Sequence, residues 1–194
     1  MCTFWPDSGF DQAKNSLGTA LNKLRKLLSK LGEINLVNEK HSYRINTNSS
    51  LCCDYLRFQH LKSISKDQSR FNSDSFDELL KIVRSGKFLP EMDYEWLEPF
   101  RATVTNGVAE ICLDQTKKLT VNDHANLLLR IGDTVLSWDF LNQEALRIKI
   151  AAFMHLGRYG AAKRAFEEFE LKYEETYEEP FNLALSDLIS SKKS

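Results

Sequence analysis

From residue 52 onward the sequence is a succession of helical patterns separated by short polar breaks. Each pattern places apolar residues three or four positions apart, the spacing that gives an α-helix one buried face. The segments are 52–64, 75–86, 94–119, 121–138, 142–159, 161–177 and a short closing one at 183–189. Short connections bring consecutive helices together antiparallel. The sequence therefore predicts a mainly helical protein, with an antiparallel helical bundle over residues 49–194.

The beginning of the chain has a different pattern. The segment Ala13–Leu31 predicts one amphipathic helix, because its leucines recur three and four residues apart. Gly32 stands where a glycine often ends a helix. Two short alternating runs come next, Ile34–Val37 and Tyr43–Ile45, and they predict a β-hairpin with Asn38–Ser42 at its tip.

The polar side of the first helix contains no acidic residue. The residues opposite the leucine stripe are Asn15, Thr19, Asn22, Lys23, Lys26 and Lys30. Residues 1–50 hold seven basic and four acidic side chains, whereas the remainder holds 19 basic and 23 acidic ones. Residues 1–50 are therefore net basic, and the remainder of the chain is net acidic. Such a helix face is either simply solvated or binds a polyanion.

The sequence lacks the motifs of common enzymes. It has no phosphate-binding glycine loop, no HExxH and no GxSxG. Its four histidines are scattered, and its four cysteines, Cys2, Cys52, Cys53 and Cys112, lack metal-ligand spacing. The seven glutamates between 167 and 179 are typical of a solvated helix face, with metal or acid–base chemistry as a remote alternative. We predict a non-enzyme with no catalytic residue, metal site or cofactor.

Three further expectations concern targeting and the core. No run of about eighteen apolar residues is present, so no membrane span is predicted. The first residues lack the charged lead and apolar run of a secretory signal, which predicts a cytoplasmic protein. The three tryptophans, Trp5, Trp96 and Trp138, lie in apolar patterns and are predicted to be core residues.

One pair of helical segments has the spacing of a tetratricopeptide repeat. Gly157, Tyr159, Ala162 and Phe166 fall at the positions expected of that helix–turn–helix. Small residues allow the paired helices to approach closely, and Tyr159 and Phe166 are predicted to fill the space between turns. The bundle is therefore predicted to be TPR-like.

The order of these pieces resembles a known regulator family. Residues 1–48 resemble the second half of an OmpR-type winged helix–turn–helix, and residues 49–194 are similar to the bacterial transcriptional activator domain of SARP-like regulators. The first resemblance rests on Phe4-Trp5-Pro6-Asp7, Asn15-Ser16-Leu17, Leu21, Leu24-Arg25, Leu27-Leu28 and Tyr43-Arg44. The second rests on Gly86-Lys87-Phe88-Leu89-Pro90, Glu95-Trp96-Leu97, Arg101, Glu144-Ala145-Leu146, Leu156-Gly157-Arg158-Tyr159 and Ala162.

The resemblance implies a DNA-binding transcriptional regulator. The first helix would lie in the major groove of double-stranded DNA, and the hairpin would be the wing that touches the adjacent backbone. The implied DNA-binding residues are Asn15, Thr19, Asn22, Lys23, Lys26, Lys30 and Arg44. Arg25, nearer the leucine stripe, is as readily assigned to a structural ion pair. The helical part would mediate self-association or contacts with other proteins.

The family's winged helix begins with a small sheet and further helices before the Phe4–Asp7 element. The resemblance therefore implies either that this chain is a fragment of a longer, signal-responsive regulator or that it is a degenerate DNA reader. Without that cover for its leucine stripe, the first helix is predicted to lie in the least stable part of the chain.

The alternative function is that of a TPR-like protein-interaction scaffold that does not bind DNA. A more distant alternative is an enzyme that uses the acidic helix with a metal.

Overall fold

The computed structural model describes residues 4–32, 34–40, 42–47, 52–67 and 69–190. The elements in these residues are α1 (Phe10–Leu28), β1 (Ile34–Glu39), β2 (Ser42–Thr47), α2 (Asp54–Ile64), α3 (Ser73–Arg84), a 3₁₀ turn (Glu95–Leu97), α4 (Glu98–Thr116), α5 (Val121–Trp138), α6 (Gln143–His155), α7 (Tyr159–Tyr177) and α8 (Leu185–Ser190). The prediction of a mainly helical protein with one β-hairpin is confirmed.

The chain divides into two compact units, Met1–Asp54 and Tyr55–Ser194. The domain boundary drawn from the sequence lies after residue 48. None of the described helices is both long enough and apolar enough to cross a membrane.

The hairpin of the first unit is tighter than predicted. Strands β1 and β2 pair antiparallel from Ile34 opposite Thr47 to Glu39 opposite Ser42. The ladder therefore continues through most of the segment Asn38–Ser42, which the sequence analysis assigned to the tip.

Helix α1 is shifted by three residues relative to its predicted bounds. It begins at Phe10 and ends at Leu28, where the sequence predicted Ala13 and Leu31. Beyond Leu28 the amides of Lys30 and Leu31 donate to carbonyls three residues back, at 3.1 and 2.9 Å, so the chain tightens into a turn. Gly32, with φ of +104°, comes after that turn and does not itself cap the helix.

Three helices of the second unit, α3, α5 and α6, begin at side-chain caps. Asn72, Thr120 and Asn142 each accept a hydrogen bond from the backbone amide three residues later, which satisfies an otherwise unpaired donor. The predicted helix 94–119 is wrong at its start, because a 3₁₀ turn precedes α4. Proline is favoured in the first turn of a helix, and Pro99 is the second residue of α4.

Two glycines allow neighbouring helices to approach closely. A methyl group at Gly107 of α4 would lie 2.8 Å from Phe58 Cζ of α2. At Gly132 of α5 it would lie 3.2 Å from the backbone oxygen of Ala145 and 3.1 Å from Lys149 Cβ, both on α6. These distances from the added carbon to its neighbours are shorter than normal van der Waals contacts. Only glycine therefore fits at either position without displacement of a neighbour.

The apolar core of the second unit consists of three clusters. The largest joins α2, α3, α4 and α5 with Ala145 of α6, and it includes Phe58, Leu79 and Val108. The second joins α6, α7 and α8 around Leu146 and Phe166. The third lies between α5 and α6 and is formed by Ala125, Leu128, Leu129 and Ala152.

The helix–turn–helix of α6 and α7 has the predicted break. Gly157 adopts φ of +69°, and the amides of Gly157 and Arg158 donate to the carbonyls of Met154 and Phe153 at 3.1 and 2.8 Å. This arrangement satisfies the last carbonyls of α6. Ala162 and Phe166 are buried between the helices.

The role predicted for Tyr159 is wrong, because its side chain is 64% exposed. A helical side chain covers the turn that precedes its own Cα, and Tyr159 is the first residue of α7. The helical hairpin is therefore present, while its assignment to the tetratricopeptide class stays a prediction.

The close approach of α4 to α2 can be measured by substitution. We expect Gly107→Ala to lower the free energy of unfolding by roughly 1–3 kcal/mol, because the added methyl group overpacks against Phe58. The control is Gly160→Ala on α7, whose methyl group would meet only Arg164 Nη1 at 3.6 Å. That control should be neutral or slightly stabilising. Urea denaturation followed by circular dichroism measures both, and equal small effects would contradict the packing described.

Candidate nucleic-acid interface

The polar side of α1 is exposed along its length. Asn15, Thr19, Asn22, Lys23 and Lys26 all lie on the helix with exposed side chains. Lys30 is exposed as well, but it lies in the turn after Leu28. The prediction that Lys30 continues the helix face is therefore wrong, because the helical hydrogen bonds end two residues earlier.

Arg25 is bonded to one of the predicted DNA-binding side chains. Its Nη1 donates to Asn22 Oδ1 at 3.2 Å, one helical turn away. The structure thus gives Arg25 a neutral hydrogen-bond partner, where the sequence analysis left a structural ion pair open. An amide oxygen has two lone pairs, so Asn22 can accept a second hydrogen bond while Arg25 holds its orientation.

A shallow groove runs beside this polar face. Its volume is about 580 Å³, and its lining residues are Trp5, Gln12, Asn15, Ser16, Thr19, Ala20 and Lys23. Trp5, predicted to be a core residue, is only half-buried and borders the groove. Gln12 was not among the predicted residues of this face, because the predicted helix begins at Ala13. Gln12 is one helical turn from both Asn15 and Ser16, so the correct start would have placed it on this face.

Arg44 lies on the second strand of the hairpin. It is exposed, and its Nη2 is 3.2 Å from Glu39 Oε2, across the turn. An ion pair between exposed side chains contributes little stability, since water already solvates both charges. Arg44 can therefore exchange Glu39 for another anion at small cost.

The leucine stripe of α1 is partly covered: Leu28 is buried, and Leu17 and Leu21 are half-buried. Among the described residues of the first unit, only Ala13 and Leu28 are buried. Leu24 is 36% exposed and Leu31 is 70% exposed. The first unit therefore buries much less apolar surface than the second.

The described part of the chain contains no cluster of metal-binding side chains. Within that part, no three His, Cys, Asp or Glu side chains are close enough to hold a metal ion. Desolvation, followed by the charges of Glu174 and Glu167, raises the pKa of Glu170 on the acidic face of α7.

The cysteines differ in exposure. Cys52 and Cys53 are exposed, and Cys2 lies outside the described residues. Burial raises the pKa of the Cys112 thiol to about 12. Because the thiolate is the reactive form, Cys112 is an unreactive apolar core residue near neutral pH.

Of the predicted core tryptophans, only Trp138 is buried, and Trp96 is half-buried like Trp5.

Comparison with protein-family models finds no match, and comparisons with curated proteins and with solved structures find none either. The geometry of α1 and the hairpin is therefore the main indication of function.

The poor burial of the first unit leads to a prediction about its dynamics. We expect the backbone amides of α1 to exchange hydrogen at least about tenfold faster than those of α5, because local opening of α1 exposes little apolar surface. Hydrogen exchange of the full chain, read by mass spectrometry, measures both helices in one sample. Equal protection of α1 and α5 would show that α1 is covered.

Proposed function

We propose that this chain is a DNA-binding transcriptional regulator, with α1 as its recognition helix and the hairpin as its wing. The observation that carries the proposal is the exposed Lys/Asn/Thr face of α1, followed directly by an antiparallel hairpin that bears Arg44. Asp11 in the first turn is the one acidic residue of α1, and none follows it along the rest of the helix. This order of helix and hairpin is also that of the OmpR-type winged helix the sequence resembles.

The chemistry of the face suits double-stranded DNA. A helix of the length of α1 spans about 28 Å, and the major groove admits one α-helix. Lys23 and Lys26 would neutralise phosphates and make binding dependent on salt. Asn22 would form paired hydrogen bonds with adenine N6 and N7, and Thr19 would contact a thymine methyl group.

The second unit would serve as the regulator's protein-binding body. Its helical hairpin of α6 and α7 and its acidic surface suit contacts with proteins better than contacts with phosphates. The bacterial activator domains that it resembles, with their TPR-like helices, would associate with themselves or with other proteins. In this proposal the regulator acts in the cytoplasm.

A second candidate function is a protein-interaction scaffold that does not bind DNA. The observation in its favour is a group of exposed leucines near the end of α1 and in the turn after it: Leu24, Leu27 and Leu31. A protein partner that covers these leucines would use α1 as a docking helix. In that case the basic side chains would only keep the helix soluble.

Salt dependence tests the proposed phosphate contacts. We expect Lys23→Ala to weaken binding to a pool of random-sequence duplexes and to reduce the slope of log affinity against log salt by about 1. The matched control is Lys163→Ala on α7, an exposed lysine 3.5 Å from Glu167, which should leave the slope unchanged. Fluorescence anisotropy of the labelled pool measures both. Equal loss of affinity in the two variants would indicate only a general effect of charge, and no binding by the parent chain would favour the scaffold.

Sequence preference tests base readout separately. We expect Asn22→Ala to change the base selected at one position of the DNA site, because the alanine cannot pair with adenine N6 and N7. Selection from the random duplex pool, followed by sequencing, measures the preference of parent and variant. An unchanged preference would remove Asn22 from the base-reading residues while leaving the phosphate contacts standing.

A further inference from the structure

A row of aromatic rings, the aromatic surface, lies on the second unit where the loop before α4 meets α2. It consists of Phe88, Tyr55, Phe100, Trp96 and Tyr94. Successive ring centroids are 5.2, 6.3, 6.3 and 6.1 Å apart. Tyr94 and Phe100 are exposed, and Trp96 is half-buried. The rings are thus in contact with one another and remain accessible from outside.

The loop that carries part of this surface is held in a fixed conformation. Arg101 of α4 donates hydrogen bonds to the carbonyls of Phe88, Leu89 and Met92. Leu89 adopts φ of +46°, a region that side chains other than glycine rarely occupy. Such strain persists only where surrounding contacts enforce it, and here those of Arg101 do.

The same loop exposes apolar side chains. Leu89 and Met92 are exposed beside Tyr94, whose exposed fraction is 54%. Large apolar groups that are grouped on a surface mark sites of interaction. Because the loop is already ordered, a partner would lose little affinity to the entropy of ordering it.

The charges around the aromatic surface are mostly negative. Glu91, Asp93 and Glu95 alternate with the apolar side chains of the loop, and all three are exposed. Glu98 is bonded to Arg101 at 2.5 Å and so is partly neutralised. This arrangement repels phosphates and attracts cations, which argues for a basic protein segment and against nucleic acid.

We propose that the aromatic surface binds an arginine- or lysine-bearing segment of a partner protein. A guanidinium group would stack on Tyr94 or Trp96, and Asp93 and Glu95 would supply the opposite charge. Aromatic rings attract cations through their electron-rich faces, and nearby carboxylates add to that attraction. This inference does not depend on DNA binding by α1, since it concerns only residues of the second unit.

The test is binding of a fluorescein-labelled peptide of alternating arginine and glycine to the full chain, measured by anisotropy. A second peptide with citrulline in place of arginine keeps the shape and removes the charge. We expect the arginine peptide to bind and the citrulline peptide to bind much more weakly. We also expect Tyr94→Ala and Glu95→Gln each to weaken binding of the arginine peptide about two- to fivefold.

The chain offers matched controls for both substitutions. Tyr177 on α7 is 55% exposed, nearly the same as Tyr94, and it too has glutamates close by in sequence. Tyr177→Ala and Glu175→Gln should leave peptide binding unchanged. Equal binding of the two peptides, or equal effects of Tyr94→Ala and Tyr177→Ala, would overturn the proposal.

Sedimentation of the full chain tests whether a second copy of the protein binds the aromatic surface instead. If Tyr94→Ala abolishes self-association while peptide binding stays as in the parent, the aromatic surface is a self-interface and the proposal is wrong. Circular dichroism of each variant confirms that the fold is retained.

Discussion

The contact between α5 and α6 at Gly132 is the constraint on which the second unit depends. Because Gly132 has no side chain, α6 lies against α5 closely enough that an added methyl group would touch the backbone oxygen of Ala145. From that position α6 contributes a buried residue to each of the three core clusters: Ala145, Leu146 and Ala152. Helices α4 and α7 pack on this pair, so one close approach joins the clusters into a continuous body.

The glycines described in the first unit, Gly9, Gly18 and Gly32, show no comparable close approach. Most helix stability in proteins comes from packing of an apolar face, so the stability of α1 depends on how well its leucine side is covered. Here that face is only partly covered, since Leu24 is exposed and only Ala13 and Leu28 of α1 are buried. A ligand that binds only the folded form adds its binding free energy to stability. Any partner of α1, whether DNA on its polar side or protein on its leucine side, would therefore also order the unit.

Features that depend on local periodicity were predictable from the sequence, whereas features that depend on tertiary contacts were not. Helical spacing predicted the helices of the second unit, and Gly157 predicted the turn between α6 and α7. Periodicity does not show where the hydrogen-bond ladder stops, so the end of α1 at Leu28 and the position of Lys30 were missed. Whether Tyr159 is buried depends on neighbours that no local pattern specifies. The carbonyl contacts of Arg101 likewise arise only when the loop folds back on α4.

The net charge of −1 conceals two surfaces of opposite character. One is the lysine face of α1, and the other is the acidic, aromatic loop before α4. Charges separated by more than about 8 Å are largely screened at physiological ionic strength. Distant charge can therefore guide a partner only weakly, and selectivity must come from side chains in direct contact. Asn22 and Thr19 would supply such contacts on the first surface, and Tyr94 and Trp96 on the second. The acidic loop would also keep nucleic acid from competing for the second surface, so under these proposals each unit would bind its own class of partner.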